Sequence, residues 1–169
     1  MGMAGIEAAL IMPFLLLLYF SLHDLTALIT FNRKITSTAS TLADAVGQNQ
    51  GTVSAATIAD DMNVVGMIMA PSPVSDVHVD LFDYRMVGTT PKIQWQVAGS
   101  TGPACSAPII PNMSSLMTAG NDVIVAVACM NYTPYVATFL GTNLLGSTSF
   151  TIQQTITARP RGSATLDKV

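Results

Sequence analysis

Met3-Ala-Gly-Ile-Glu7-Ala-Ala-Leu-Ile-Met-Pro13-Phe-Leu-Leu-Leu-Leu-Tyr19-Phe-Ser-Leu22 carries one ionisable side chain ahead of Tyr19, and that residue, Glu7, is the only glutamate in the 169-residue chain. At helical rise, about twenty residues span roughly 30 Å, the thickness of a bilayer's hydrocarbon core. The stretch therefore predicts a membrane-inserted helix over residues 3–22. Pro13 removes one backbone donor and crowds the carbonyl four residues earlier, so a bend is expected there, a cost that neighbours in a membrane or filament absorb. A secretory signal peptide would need a positively charged start and a small-residue cleavage site after the apolar core. Tyr19-Phe-Ser-Leu-His-Asp24 offers no such site.

A carboxylate in such a helix costs roughly 2.5 to 3.5 kcal/mol at mid-membrane, so Glu7 must either reach the headgroups or have a partner. No cationic side chain precedes Arg33. Cleavage of the Gly2–Met3 bond would create an ammonium group at Met3, and residues at i and i+4 share a helix face. Met3 and Glu7 then form a charge pair, on one helix or between neighbouring copies.

A glycine, a mature segment with glutamate at its fifth position and an apolar helix together resemble the type IV prepilins cut by the prepilin peptidase. Residues 4–17, Ala-Gly-Ile-Glu-Ala-Ala-Leu-Ile-Met-Pro-Phe-Leu-Leu-Leu, look like the TadE-like pseudopilins of the tight-adherence (Tad) pilus. Those proteins also tend to end in a strand running into an Arg-Pro-Arg element, and here Arg159-Pro160-Arg161 follows Phe150–Ala158. The N-terminal motif is fairly specific, the Arg-Pro-Arg match is weak alone, and the middle of the chain is generic. The resemblance implies processing at Gly2 and Met3, and an inner-membrane anchor with a periplasmic C-terminal domain. It also implies a minor pilin whose partners are the prepilin peptidase, the major pilin, other minor pilins and inner-membrane lipid. A prepilin leader carries basic residues before the glycine, whereas Met1 alone precedes Gly2, so residues 1–2 read as a leader remnant. The positive-inside rule, applied to Arg33 and Lys34, favours the opposite topology. Those charges lie about ten residues past Leu22, beyond His23-Asp24, which weakens their vote.

Half the residues are hydrophobic and 10% charged, which fits a chain that buries surface in lipid and against partners. Net charge is −3 and the seven basic residues are scattered, so nucleic acid is not an expected partner. Beyond Leu22 the helical pattern continues through residues 23–50: Leu25, Leu28 and Ile29, then Ile35, Ala39, Leu42 and Val46, recur at three- and four-residue steps. Gly47-Gln-Asn-Gln-Gly51 ends it. Within the domain of residues 51–169, a second helix is expected from about Val53 to Met69, with Ile58, Met62, Val65 and Met69 as its stripe and Asp60 and Asp61 facing away. Pro71-Ser-Pro73 stops it.

The remainder alternates as strands do: Val77, Val79 and Leu81; Ile93, Trp95 and Val97; Val123, Val125, Val127 and Cys129; Phe150, Ile152 and Ile156. Gly88-Thr-Thr-Pro91 joins the first two as a hairpin. The expectation is an α+β fold, with a long N-terminal helix and a second helix on an antiparallel sheet of about four strands; a pilin-like family implies the same arrangement. Cys105, in the irregular stretch Gly99–Ala119, and Cys129 read as one disulfide in an exported chain, closing a loop of about 25 residues worth roughly 3 kcal/mol. Two unpaired buried thiols are the other reading. Arg159 and Arg161 serve either as the stop of an edge strand or as a partner contact.

Catalysis would need titratable groups that converge. His23-Asp24 reads as a polar pair at the membrane exit, and Asp60-Asp61 as a solvated helix face. His78 and Asp80 share a strand face with no third metal ligand at a suitable spacing, and Asp83 follows on the same strand. No enzymatic activity, cofactor or metal is expected. Met62, Met67 and Met69 read as core filler. The functional alternative to a pilin is a single-pass anchored periplasmic domain that binds a ligand or partner through the Gly99–Ala119 loop.

Overall fold

The computed structural model describes residues 3–99, 102, 104–106, 117, 120–140 and 149–169. Among these residues three α-helices, α1 (Met3–Gly47), α2 (Ala55–Met69) and α3 (Tyr135–Leu140), accompany six strands. The strands are β1 (Thr52–Val53), β2 (Val77–Val87), β3 (Thr90–Ala98), β4 (Asp122–Tyr132), β5 (Phe150–Ala158) and β6 (Asp167–Lys168). The order β3-β2-β4-β5 makes the main sheet, and β1 pairs with β6 in a second, parallel pair. The fold is thus α+β, with a long apolar first helix, a further helix and a four-stranded sheet. Two compact units result: one from Met1–Phe31 and Tyr132–Thr151, the other from Asn32–Asn131 and Ile152–Val169.

In the second unit, the period-2 pattern of β2 and β4 puts two different apolar sets on the two faces of the sheet. The β2–β3 hairpin turns at Gly88, whose φ of 66° suits a residue without Cβ, and Val87 pairs with Thr90. β4 pairs antiparallel with the other edge of β2, setting Val125 opposite Phe82 and Val123 opposite Tyr84. These four residues share a buried cluster with Met86, Val127 and Met117, and Cys105 packs against it. On the opposite face Val77, Val79, Leu81, Ile124, Ala126 and Ala128 are fully buried. The matching apolar surface comes from the helices: Ile35, Ala39, Leu42 and Val46 of α1 and Ile58, Val65 and Met69 of α2 are all at most 2% exposed. The three- and four-residue steps that pick out this half of α1 thus mark its buried face.

α2 begins two residues later than its apolar stripe suggests. Val53 belongs to β1, paired with Lys168, and Ser54 Oγ accepts the Thr57 N–H at 3.1 Å as the N-cap. At the other end Lys34 of α1 donates to the Ala70 and Met69 carbonyls, satisfying the last acceptors of α2. Asp60 is exposed, but Asp61 is not the solvated residue its sequence position suggests: it is half-buried, and its Oδ2 meets neither water nor a donor among the described residues. Burial, then the adjacent Asp60 charge, pushes its carboxyl up. Of the methionines expected as filler, Met69 is buried and Met62 half-buried, whereas Met67 is 78% exposed.

After β5, the Arg-Pro-Arg element leads into a closing strap. The Arg161 N–H donates to the Gly47 carbonyl and its guanidinium pairs with Asp44 at 2.5 Å. The chain then returns past Ser163, whose Oγ accepts the Gly51 N–H, to place Leu166 in the core and β6 beside β1. Trp95 Nε1 donates to the Leu166 carbonyl at 2.9 Å.

Candidate functional site

Along residues 5–16 the side chains of α1 are exposed around its whole circumference, and further along Leu17 and Phe20 are half-buried. Ile6, Leu10, Phe14 and Leu18 run down one side, and Ile11, Leu15, Tyr19 and Leu22 down another; Phe14 is 75% exposed. α1 is long and apolar enough to cross a membrane. A helix apolar all round has to be covered by lipid or by other helices. Its hydroxyls are turned inward: Ser21 donates to the Leu17 carbonyl at 2.7 Å, and Thr26 and Thr30 donate likewise to the carbonyls four residues back. No side-chain donor of these three residues is left to face a medium without water. The helix runs through Pro13 without interruption.

Glu7 is exposed on this surface, and Met3 opens the helix one turn before it. An ammonium at Met3 would therefore stand on the Glu7 face. Gly2 lies outside the described residues, as does most of the Gly99–Ala119 loop. The parts of that loop that are described are bound to the sheet. Cys105 is bonded to Cys129, with Cα atoms 5.6 Å apart. The Ser106 carbonyl accepts from Gln153, and the Gly102 carbonyl lies 3.1 Å from His78 Nδ1.

His23-Asp24, expected as a simple polar boundary, holds a different arrangement. Asp24 is only 5% exposed although it lies next to the apolar span. Its Oδ1 accepts the Tyr132 hydroxyl at 3.0 Å and the Tyr135 N–H at 2.9 Å, and its Oδ2 accepts the Val136 N–H at 2.8 Å. His23 meets the Tyr135 ring at 5.4 Å, and Phe31, Tyr132 and Phe150 follow in ring contact. This clamp fastens α3 to α1. Its partners are more than a hundred residues apart in sequence, so no local pattern announces it.

The strand candidates are brought together in pairs. His78 Nε2 lies 3.3 Å from Asp80 Oδ1, and with the Gly102 carbonyl on Nδ1 both ring nitrogens are engaged. Among the described residues no three His, Cys, Asp or Glu side chains are placed to hold a metal. Asp83 points to the other face, toward a charged group that sequence reasoning missed. Arg85 grips Asp122 with two hydrogen bonds of 2.6 and 2.7 Å and reaches Asp167 at 2.9 Å. Asp122 also accepts the Leu166 N–H. The cluster locks the closing strap to the sheet. The detectable signal was the register: Arg85 and Asp122 are directly paired across β2 and β4.

No protein-family model, curated protein or solved structure matches this chain. Function has to be argued from the geometry, and from the motif on the first helix. Asp83 is fully buried and neither of its oxygens meets a donor among the described residues. Burial, then the Asp122 charge, raises its carboxyl to about 7 despite the nearby Arg85. It lies in the interior beside the Arg85–Asp122–Asp167 cluster. A groove of about 410 Å³ lined by Ala55, Ile58, Met62, Val97, Gly99 and Lys168 opens between α2 and the end of β3, with a mixed apolar and polar lining.

Proposed function

We propose that this chain is a minor pilin, or pseudopilin, of a Tad-type pilus, processed after Gly2 and held in the bacterial inner membrane by residues 3–22 with its α+β domain in the periplasm. Its role is assembly rather than catalysis: packing with the major pilin and other minor pilins to begin or cap a filament used for surface attachment. One observation carries the reading. A single unbroken helix carries exposed apolar side chains from Ile6 to Leu22, with Glu7 as the one charge in that stretch, and is buried from Ile35 to Val46. Such a helix needs a medium of lipid or like helices for its first half, and the prepilin-like motif supplies a reason for Glu7 to be kept there. The Cys105–Cys129 bond adds support, because such crosslinks persist in oxidising compartments such as the periplasm.

The N-terminus tests this. Protein recovered from its native host should begin at Met3. Gly2→Ala or a bulkier residue should block processing, whereas Glu7→Ala should leave cleavage largely intact and weaken assembly, since Glu7 acts only once the Met3 amine exists. An unprocessed N-terminus in cells with an active prepilin peptidase would leave an anchored periplasmic domain, binding a ligand or partner, as the better reading.

A further inference from the structure

We infer that α3 is a second membrane-contacting element, lying in the boundary between headgroups and acyl chains beside the end of the α1 span. The inference rests on α1 spanning a bilayer and is independent of the pilus.

The depth follows from what α3 touches. Val136 forms a small cleft with Leu16, Leu17 and Phe20 of α1. Leu16 lies six residues before Leu22, the last residue of the apolar run. Leu16 and Phe20 lie about 9 and 3 Å inside Leu22 at 1.5 Å per residue, while the Val136 N–H donates to Asp24 just beyond Leu22, so α3 sits from the end of the span to several ångströms inside it. That is the depth at which interfacial helices bury their apolar side.

The composition and hydrogen bonding of α3 suit that place. In Tyr135-Val-Ala-Thr-Phe-Leu140 the polar side-chain groups are two hydroxyls, of Tyr135 and Thr138, and that of Thr138 donates to the Pro134 carbonyl at 3.2 Å. Backbone N–H groups in the first turn of a helix have no partner within it. In α3 the first two are taken by the Asp24 carboxylate. In water these groups could bond solvent, but at the edge of the hydrocarbon an unpaired one costs several kcal/mol, so a fixed acceptor is needed there. The buried Asp24 next to an apolar span meets that need. Tyr135 is 61% exposed, and a tyrosine with an apolar ring and a polar tip is favoured at the level of the headgroups.

The test uses full-length protein in vesicles of phosphatidylethanolamine and phosphatidylglycerol in which a fraction of the lipid carries a photoactivatable group near the headgroup end of one acyl chain. Crosslinks are mapped by mass spectrometry, with residues 5–22 as the internal reference. Labelling of both 5–22 and 135–140 is the expected result. Labelling of 5–22 without 135–140 overturns the inference and leaves the span standing, whether water or another part of a protein covers α3. Labelling of neither overturns both. A second measurement removes dependence on labelling chemistry: in Tyr135→Trp, the emission added over that of Trp95 should be quenched about twofold more by a lipid quencher near the headgroups than by one at the chain ends. Added emission that is red-shifted and untouched by either quencher overturns the inference.

Discussion

Asp83 stands fully buried with no donor for either oxygen among the described residues, so its protonation state is a question of stability. Its carboxyl, raised to about 7, holds a proton in the native protein that the unfolded chain gives up near the ordinary value of 3.8. The native state thus binds more protons than the unfolded state between those two values, and stability falls as pH rises through that window. The contribution is fully present below about pH 4 and lost above about pH 7. We expect the unfolding midpoint of full-length protein in detergent, followed by Trp95 fluorescence, to drop between pH 5 and pH 8 by an amount equivalent to about 1–3 kcal/mol. Asp83→Asn removes the ionisation and should flatten that profile. A parent profile as flat as the variant's would show that the carboxyl is solvated. Gly102 makes a second prediction at this scale: a Cβ there would fall 2.6 Å from the Val77 carbonyl carbon and 2.9 Å from the His78 nitrogen, both strand backbone atoms with little room to yield. Gly102→Ala should cost about 1–3 kcal/mol in the same assay, and an unchanged midpoint would mean the loop approaches less closely.

The Cys105–Cys129 bond ties an irregular stretch to β4, with 24 residues of separation. A crosslink closing a loop of that length restricts the unfolded chain by roughly 3 kcal/mol in the chain-entropy model. Cys129→Ser should therefore lower the domain's unfolding midpoint, and non-reducing electrophoresis of alkylated protein from the native envelope should show one intramolecular bridge. Two freely alkylated thiols in that material would argue for a cytoplasmic domain and restore the weight of Arg33 and Lys34. The elements that could be read from sequence are those with a period to repeat: the continuation of α1 through Val46, the α2 stripe from Ile58 to Met69, and the alternation along β2, β3, β4 and β5. What escaped has no period. β1 and β6 are two residues each and exist because the strap returns from Arg161 to Leu166. α3, six residues rich in β-branched and aromatic side chains, lacks the length for a helical pattern and is held by a carboxylate on a different helix. Asp24 reads locally as part of a polar boundary pair, and only tertiary pairing makes it, like Asp122, a buried acceptor.

At the scale of the whole molecule, the two halves of α1 require different surroundings. The half from Ile35 to Val46 is satisfied by the domain's own core, whereas Leu10, Phe14, Leu15 and Leu18 are at least 59% exposed among the described residues. At roughly 25 cal/mol per Å², bringing even a few such side chains into water costs several kcal/mol, so the helix can leave a bilayer only by burying that surface against equivalent helices. In such a dry interior an unpaired Glu7 would be heavily penalised, and under the proposed processing a neighbour's Met3 ammonium would pair with it. A fragment beginning near Asp24 keeps the clamp carboxylate and the buried half of α1, and should fold, as judged by cooperative unfolding. Without residues 3–22 it should not enter a pilus. Full-length protein bearing a photoreactive residue at Ile11 or Leu15, in cells making the pilus, should crosslink to other pilus subunits through that helix. Lipid adducts alone at both positions, in cells where filaments assemble, would mean that the helix never leaves the bilayer and that it serves as an anchor.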